Sequence, residues 1–349
     1  MNRFIIAIKK PALWPWLIAL PGIILRVWAI TASPLWYDER FTQLIAGLPL
    51  DRLLVATAGD VHPPAYYLMV KSWTWLFGNT PLALRLFSAL FSALSLYTFW
   101  MITGEMDLPN PARLVALAVM TYHPSQIYYA QEARMYTLLQ ELVLSQWLAM
   151  LRGNWSWFGV YTLLSISTHN FGLIYSPVIA GLGALREMRV YKTVPWRIAL
   201  CLILSVTAWW PWSATLHNQM TTIAGGYWIQ PVTVGSVLES VINILAGLHI
   251  DPALAIATIF TVSAGLGLLV VAGVRLRRWD LLWLAMGPVA LVVAGSLAWR
   301  PILLFRGFLA IIPPLAILAG LAIFHADLRG NLVAGALVFP LAVCLVFSI

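Results

Sequence analysis

The sequence predicts an all-α polytopic membrane protein of about eleven transmembrane helices, with interfacial helices in its first extracytoplasmic loop. Three observations carry this. Of 349 residues, 61% are apolar and 10% charged, with a mean hydropathy of +0.84. Apolar runs recur near the ~20 residues that a helix needs to cross a bilayer. Lys and Arg fall mostly in short connections between those runs, as positive-inside topology requires. The net charge of +8 is thus a topological signal, and nucleic acid is not an expected partner. No long polar segment remains for a separate soluble domain, so residues 1–349 are expected to form a single transmembrane domain. Cys201 and Cys344 both lie in apolar runs, which argues for neither a disulfide framework nor a metal cluster.

In chain order, Arg3, Lys9 and Lys10 precede a first span over 12–32. It resembles a signal peptide but leads into further spans and carries Arg26, so it reads as a retained first helix. Residues 33–80 form the first extracytoplasmic loop. Within it, 38–60 alternates apolar patches with charges, which suits interfacial helices, and 65–78 has marginal length with interfacial Tyr and Trp. If 65–78 does not cross, the later spans are about 82–103, 112–128, 135–152, 155–168, 170–186, 197–214, 253–274, 280–299, 305–324 and 331–349. The cytoplasmic side then collects 13 of the 21 basic residues, including the clusters at 3–10, 186–197 and 275–278. Were 65–78 to cross, the last two clusters would conflict with the first. The expected topology is a cytoplasmic N-terminus and an extracytoplasmic C-terminus in the cell (inner) membrane. The longest connection, 215–252, is a possible lid.

This topology gathers the costly polar residues on one, extracytoplasmic face. Asp38 and Glu39 follow the first span. Neighbours on a helix point about 100° apart, so one carboxylate can face a site while the other packs against a base such as Arg40 or Arg134; both could instead simply favour a helix start. His62 precedes the rigid Pro63-Pro64 turn and stands near Tyr66. Tyr129, Gln131, Glu132, Arg134 and Tyr136 cluster between two spans, where Arg134 can fork onto a phosphate and Glu132 can orient a cation or close a salt bridge. If that stretch is helical, Gln131 shares a face with Arg134. Arg306, just inside a span, needs an anion nearby. Arg85 sits similarly but could snorkel to the interface, and His169 marks a turn between helices. Phosphate-binding glycine loops, HExxH and zinc-spaced cysteine pairs are lacking in the sequence. Cations beside a carboxylate at the membrane surface suit an anionic lipid substrate.

The order Trp36-Tyr37-Asp38-Glu39, His62-Pro63-Pro64-Ala65-Tyr66-Tyr67-Leu68, Ala83-Leu84-Arg85-Leu86, Tyr129-Ala130-Gln131-Glu132-Ala133-Arg134-Met135-Tyr136 and Thr168-His169-Asn170 resembles the GT-C glycosyltransferases of the protein mannosyltransferase and aminoarabinose transferase type. Trp228-Ile229-Gln230-Pro231 and Arg306 are also similar, and the likeness covers about 34–310. It implies a GT-C fold. It further implies transfer of a sugar from a polyprenyl-phosphate donor to a lipid, glycan or protein acceptor, with inversion. On that resemblance Asp38 is the general base and Glu39 its support. His62, Arg134, Arg306 and Arg85 meet the donor phosphate. Tyr66, Tyr129, Gln131, Glu132, Tyr136, His169 and Trp228 line the substrate site. The expected partners are the lipid-linked donor, its acceptor and membrane lipids. No metal site or other cofactor is indicated by the sequence, although a divalent cation is compatible with it.

The chain departs from the pattern in three places. It is short, so acceptor recognition is expected to rest on the membrane module and the 215–252 loop. His62 stands where aminoarabinose transferases typically carry Lys, and Asn170 where an aromatic is common. The rival readings are a transporter or flippase of an anionic lipid, for which neither inverted repeats nor midplane helix breaks are evident, and an assembly subunit, which leaves Asp38 and Arg306 unexplained.

Overall fold

The computed structural model describes residues 13–223, 229–247 and 255–325, and among them every regular element is helical. The first span appears as α1 (Trp14–Val27). The loop after it holds three short helices, α2 (Tyr37–Gly47), α3 (Leu50–Ala58) and α4 (Ala65–Phe77), where broken apolar patches predict them. Gly78, at a φ of 83° that favours glycine, ends α4. Thr80 then caps α5 (Pro81–Glu105) by accepting from the Ala83 N–H, with Pro81 at the first helical position.

The span expected over 112–128 breaks in two. α6 (Asn110–Tyr122) stops at His123, and Pro124 opens α7 (Pro124–Ala130), because a proline disfavours helical backbone in the residue before it and lacks an N–H. α8 (Tyr136–Leu151), α9 (Trp155–Thr168) and α10 (Gly172–Arg186) follow as antiparallel neighbours. A π-helical turn, Glu187–Tyr191, leads to α11 (Trp196–Trp209) and α12 (Pro211–Ile223); Pro211 separates the last two, which meet at 63°. α13 (Val234–Ala246), α14 (Ala255–Arg275) and α15 (Trp279–Ala298) come next. The chain then makes a 3-10 turn (Phe305–Ile311) that runs directly into α16 (Ile312–Phe324).

Ten of the eleven expected spans therefore fall on helices, and the eleventh, 331–349, lies outside the described residues. Among the described residues four helical stretches, Pro81–Glu105, Ile256–Arg275, Trp279–Ala298 and Phe305–Phe324, have the length and apolarity to cross a membrane, and the bent pair α11–α12 adds a fifth. Several others are 13 to 16 residues long, so the described residues mix long and short helices and do not confirm the count of eleven spans. In the described part of the 215–252 connection lie the end of α12 and all of α13. Together with the broad apolar outer surface of α1, α9 and α11, the long apolar helices make this an integral membrane protein.

α5 and α8 form the centre of the bundle, with α9 and α10 against α8, and α16 on α6. Helix contacts here use small and polar residues, as expected where lipid offers no hydrophobic drive. A Cβ on Gly22 would lie 2.0 Å from Thr121 Cγ2, so α1 and α6 can meet this closely only through glycine. Gln126 and Gln140 exchange amide hydrogen bonds of 2.7 and 2.9 Å. The fully buried Arg26 donates from Nη1 to Thr121 O (2.8 Å) and from Nε to Ser92 Oγ (2.8 Å). It caps the carbonyl end of α6 at the break, where a cation is favoured.

Candidate active site

The site is built on the first turn of α2. Glu39 is fully buried. Its Oε1 accepts from Arg85 Nε at 2.8 Å and from the Ala133 N–H at 2.8 Å; its Oε2 accepts from Arg85 Nη2 at 2.6 Å and from the Trp36 N–H at 3.3 Å. Arg85 also donates from Nη1 to Ile30 O and Ser33 O and from Nη2 to Pro34 O. All five of its N–H groups are engaged. Arg85 is thus neither snorkelling nor free to meet a phosphate, and that expectation is corrected: it fastens α5 to α2 and to the end of the first span. The partner of Glu39 is also corrected, from Arg40 or Arg134 to Arg85, while Arg40 turns back to Leu35 O.

Asp38, one residue earlier, faces the other way. Its Oδ2 lies 3.1 Å from Arg306 Nη1 and 4.0 Å from Arg134 Nη2, and Arg134 Nη1 donates to the Asp38 backbone oxygen at 3.2 Å. The side chains of Asp38 and Arg306 are 27% and 28% exposed, against 6% for Arg134, so a ligand can reach the first two from outside. Arg306 also lies over the Trp36 ring at 4.9 Å. Its placement depends on the 3-10 turn. A Cβ on Gly307 would sit 2.4 Å from the Phe171 ring, and Tyr175 OH donates to Gly307 O at 2.8 Å.

His62 Nε2 is 3.1 Å from Arg134 Nη2. A guanidinium can only donate, so this nitrogen accepts and the proton sits on Nδ1. Burial, reinforced by His169 and Arg134, holds the imidazole well below its ordinary pKa. His62 is therefore a neutral N–H donor rather than a cation that neutralises phosphate. His169 stacks on it with ring centroids 5.0 Å apart. Its Nδ1 accepts from the Phe171 N–H at 3.0 Å, and burial brings its pKa down to about 3. Asn170 Nδ2 ties this turn to Val61 O.

Residues 131–135 form a turn rather than a helix, and this redirects several expected substrate contacts. Gln131 points away from Arg134 and donates to Leu25 O and Trp28 O at the end of α1; its role is corrected from substrate contact to helix cap. Tyr66, Tyr129 and Tyr136 are buried and pack edge to face with neighbouring rings, forming the floor of the site rather than an open wall. Trp228 lies outside the described residues. Asp60 was not singled out as a site residue in the sequence, being one charge among several in a broken stretch. Burial raises its pKa, it accepts from Tyr67 OH at 3.0 Å, and it feels the charges of Arg134 and Asp38.

Glu132 is buried, with Oε2 lacking a hydrogen-bond partner. Burial pushes its pKa from 4.5 up to about 7, against the pull of Arg306 and Arg134. Between those values the folded chain holds a proton that the unfolded chain has released, so Glu132 lowers stability as pH rises through this window, by about 3 kcal/mol. His62 and His169 act in the opposite sense, costing stability as pH falls below about 6.5. Glu132→Gln should therefore raise the thermal midpoint at pH 8 and leave it nearly unchanged at pH 4.5. An equal difference at both pH values would contradict the assignment.

Trp36 Nε1, His62 Nδ1, Arg134 Nε and His169 Nε2 are also buried without a hydrogen-bond partner. Native structures rarely leave such groups unmatched; these four belong to residues linked by contacts to Asp38, Arg134 and Arg306, while others lie elsewhere in the bundle, at Trp147, Trp209 and Gln219. Among the described residues no three His, Cys, Asp or Glu side chains gather in a metal-binding group.

No family model matches the chain, and no curated protein matches it by sequence. Solved structures do match. ArnT from Cupriavidus metallidurans bound to undecaprenyl phosphate aligns with a TM-score of 0.59 at 16% identity, over 96% of this chain and 64% of ArnT. Its apo state gives 0.57 at 18% identity, over 90% and 60%. The oligosaccharyltransferase AglB from Archaeoglobus fulgidus, in complex with an inhibitory peptide and a dolichol-phosphate, gives 0.51 at 10% identity, over 95% and 55%. The chain thus spans 60–64% of the length of ArnT. ArnT and AglB are both GT-C glycosyltransferases, and the helices described above, in their order and packing, have the GT-C fold.

Proposed function

We propose that this chain is an inverting glycosyltransferase that moves a sugar from a polyprenyl-phosphate donor to a hydroxyl or amine of a lipid, glycan or protein acceptor on the extracytoplasmic side of the cell (inner) membrane. One observation carries the reading: a partly exposed carboxylate, Asp38, held between Arg306 and Arg134 beside the unpartnered polar atoms of Trp36, His62 and Arg134. The undecaprenyl phosphate on ArnT and the dolichol-phosphate on AglB support a lipid phosphate as the ligand of those arginines. The basic residues of the loops support the sidedness.

In this mechanism Asp38 Oδ2 takes the acceptor proton as the acceptor atom bonds to the anomeric carbon. The bond from that carbon to the phosphate oxygen breaks, and its electron pair leaves with the lipid phosphate. Arg306 and Arg134 stabilise that anion, and the neutral His62 can add a hydrogen bond from Nδ1. A phosphate departs without a proton, so no general acid is required, in contrast to glycoside hydrolysis. Without donor, the same arginines hold Asp38. The donor phosphate competes for Arg306 and frees the carboxylate, which places donor binding before deprotonation of the acceptor.

The test is incubation of the purified chain with a panel of polyprenyl-phosphate sugars and an acceptor extract, following release of lipid phosphate. Release with at least one donor is expected. Donor binding with no release would favour the transporter reading. Arg306→Ala should weaken donor affinity roughly tenfold or more, as expected for a charge-assisted phosphate contact. Unchanged affinity would remove Arg306 from the phosphate site.

A further inference from the structure

An unassigned groove lies at the opposite end of the bundle. α8 leads away from the site for 16 residues, about 24 Å; α9 returns to His169, so the groove at the start of α9 and α11 is a bundle length from Asp38. It has a volume of about 820 Å³ and is lined from Arg152 to Leu163 on one side and from Trp196 to Ser205 on the other. Its two ends differ in chemistry. Arg152 and Arg197 stand at the mouth. Leu200 and Leu204 follow Arg197 along one face of α11 over about 10 Å, opposite Val160. These three apolar residues are 40–60% exposed, at 44%, 59% and 43%, on the outer surface of a membrane protein.

The cations are available. Arg197 makes no hydrogen bond or ion pair among the described residues, resting only against the neighbouring Trp196 ring at 5.4 Å. Arg152 uses Nε on Glu105 at 2.8 Å, which leaves both of its Nη groups open. Arg186, Arg189 and Lys192 raise the positive potential at the same end, and Trp155 and Trp196 supply the aromatic belt of a membrane surface.

We infer that this groove binds an anionic phospholipid, with the headgroup phosphate on Arg152 and Arg197 and an acyl chain along Val160, Leu200 and Leu204. A soluble anion would have no use for the apolar walls, and the acid beside Arg152, Glu105, is already engaged by its Nε, so the cation of a zwitterionic headgroup would gain little here. The inference is independent of the glycosyltransferase reading, because neither arginine belongs to the candidate active site.

The experiment places the purified full chain in nanodiscs of equal parts phosphatidylglycerol and phosphatidylcholine. After transfer to detergent, the lipids still bound are counted by native mass spectrometry. The chain should retain phosphatidylglycerol over phosphatidylcholine by roughly tenfold or more, at about fivefold per arginine. Arg152→Gln/Arg197→Gln should bring the ratio towards parity. Arg197→Gln alone, which removes no protein hydrogen bond, should lower it about fivefold. Arg275→Gln/Arg277→Gln, at exposed arginines of the same end, should leave it unchanged. No preference in the unmodified chain, a preference retained by the Arg152/Arg197 variants, or an equal loss in the Arg275/Arg277 variant would each overturn the assignment.

Discussion

Asp38→Asn is expected to lower the turnover of lipid-linked sugar by 10²- to 10⁴-fold, the usual contribution of a positioned general base, while donor affinity holds or improves. The second half of that expectation comes from geometry. Asp38 Oδ2 occupies Arg306 Nη1 at 3.1 Å, so removing its charge removes a competitor for the donor phosphate. Asparagine keeps the shape of the side chain and its place in the first turn of α2, and the buried Glu39–Arg85 pair beside it is untouched. Turnover measured under saturating donor, with donor binding followed separately, distinguishes the possibilities. Turnover within threefold of the unmodified chain would remove Asp38 from the chemistry. A large loss of donor affinity would recast it as part of the phosphate site.

Glu39→Gln should act on stability instead. Removing one member of a buried ion pair strands the other, at a cost of about 3–5 kcal/mol, which lowers the thermal midpoint by several degrees. Arg85→Lys should fail nearly as badly, because an ammonium cannot supply five donors in a planar fork. The double change Glu39→Gln/Arg85→Gln should recover part of the loss, since no charge is then left unpaired. The measurement is thermal unfolding in detergent alongside donor binding by the folded fraction. If Arg85→Lys kept its stability but lost donor affinity, a phosphate role for Arg85 would return.

Much of the fold is legible in the sequence because apolar length and charge position are local signals. Thr80-Pro81 and the broken stretch over 38–60 mark α5 and the interfacial pair without reference to the rest of the chain. The opposed directions of Asp38 and Glu39 are legible for the same reason, since adjacency on a helix sets them. What Glu39 meets is not legible: Arg85 is 46 residues away, and three donors satisfied by carbonyls at the end of the first span leave no trace in spacing. Gln131 misleads because 131–135, read as helical, is a turn. His62 misleads because its charge is decided by burial and by the guanidinium on its Nε2, neither of which sequence reveals. The break at His123 had a signal in Pro124, outweighed by the apolar run around it.

The 3-10 turn over Phe305–Ile311 has a consequence for how the chain is made. Asp38, Glu39, His62, Arg85 and Arg134 all come from the first 134 residues, whereas Arg306 enters 268 residues after Asp38. Once the first eight helices have been delivered, both partners of the buried Glu39–Arg85 joint and of the Asp38–Arg134 contact are present, and Arg306 is not. The second clamp on that carboxylate can close only after the 3-10 turn has been made, with Gly307 seated against Phe171. A chain stalled before residue 306 would therefore carry Asp38 beside Arg134 without the arginine that lies 3.1 Å from its Oδ2.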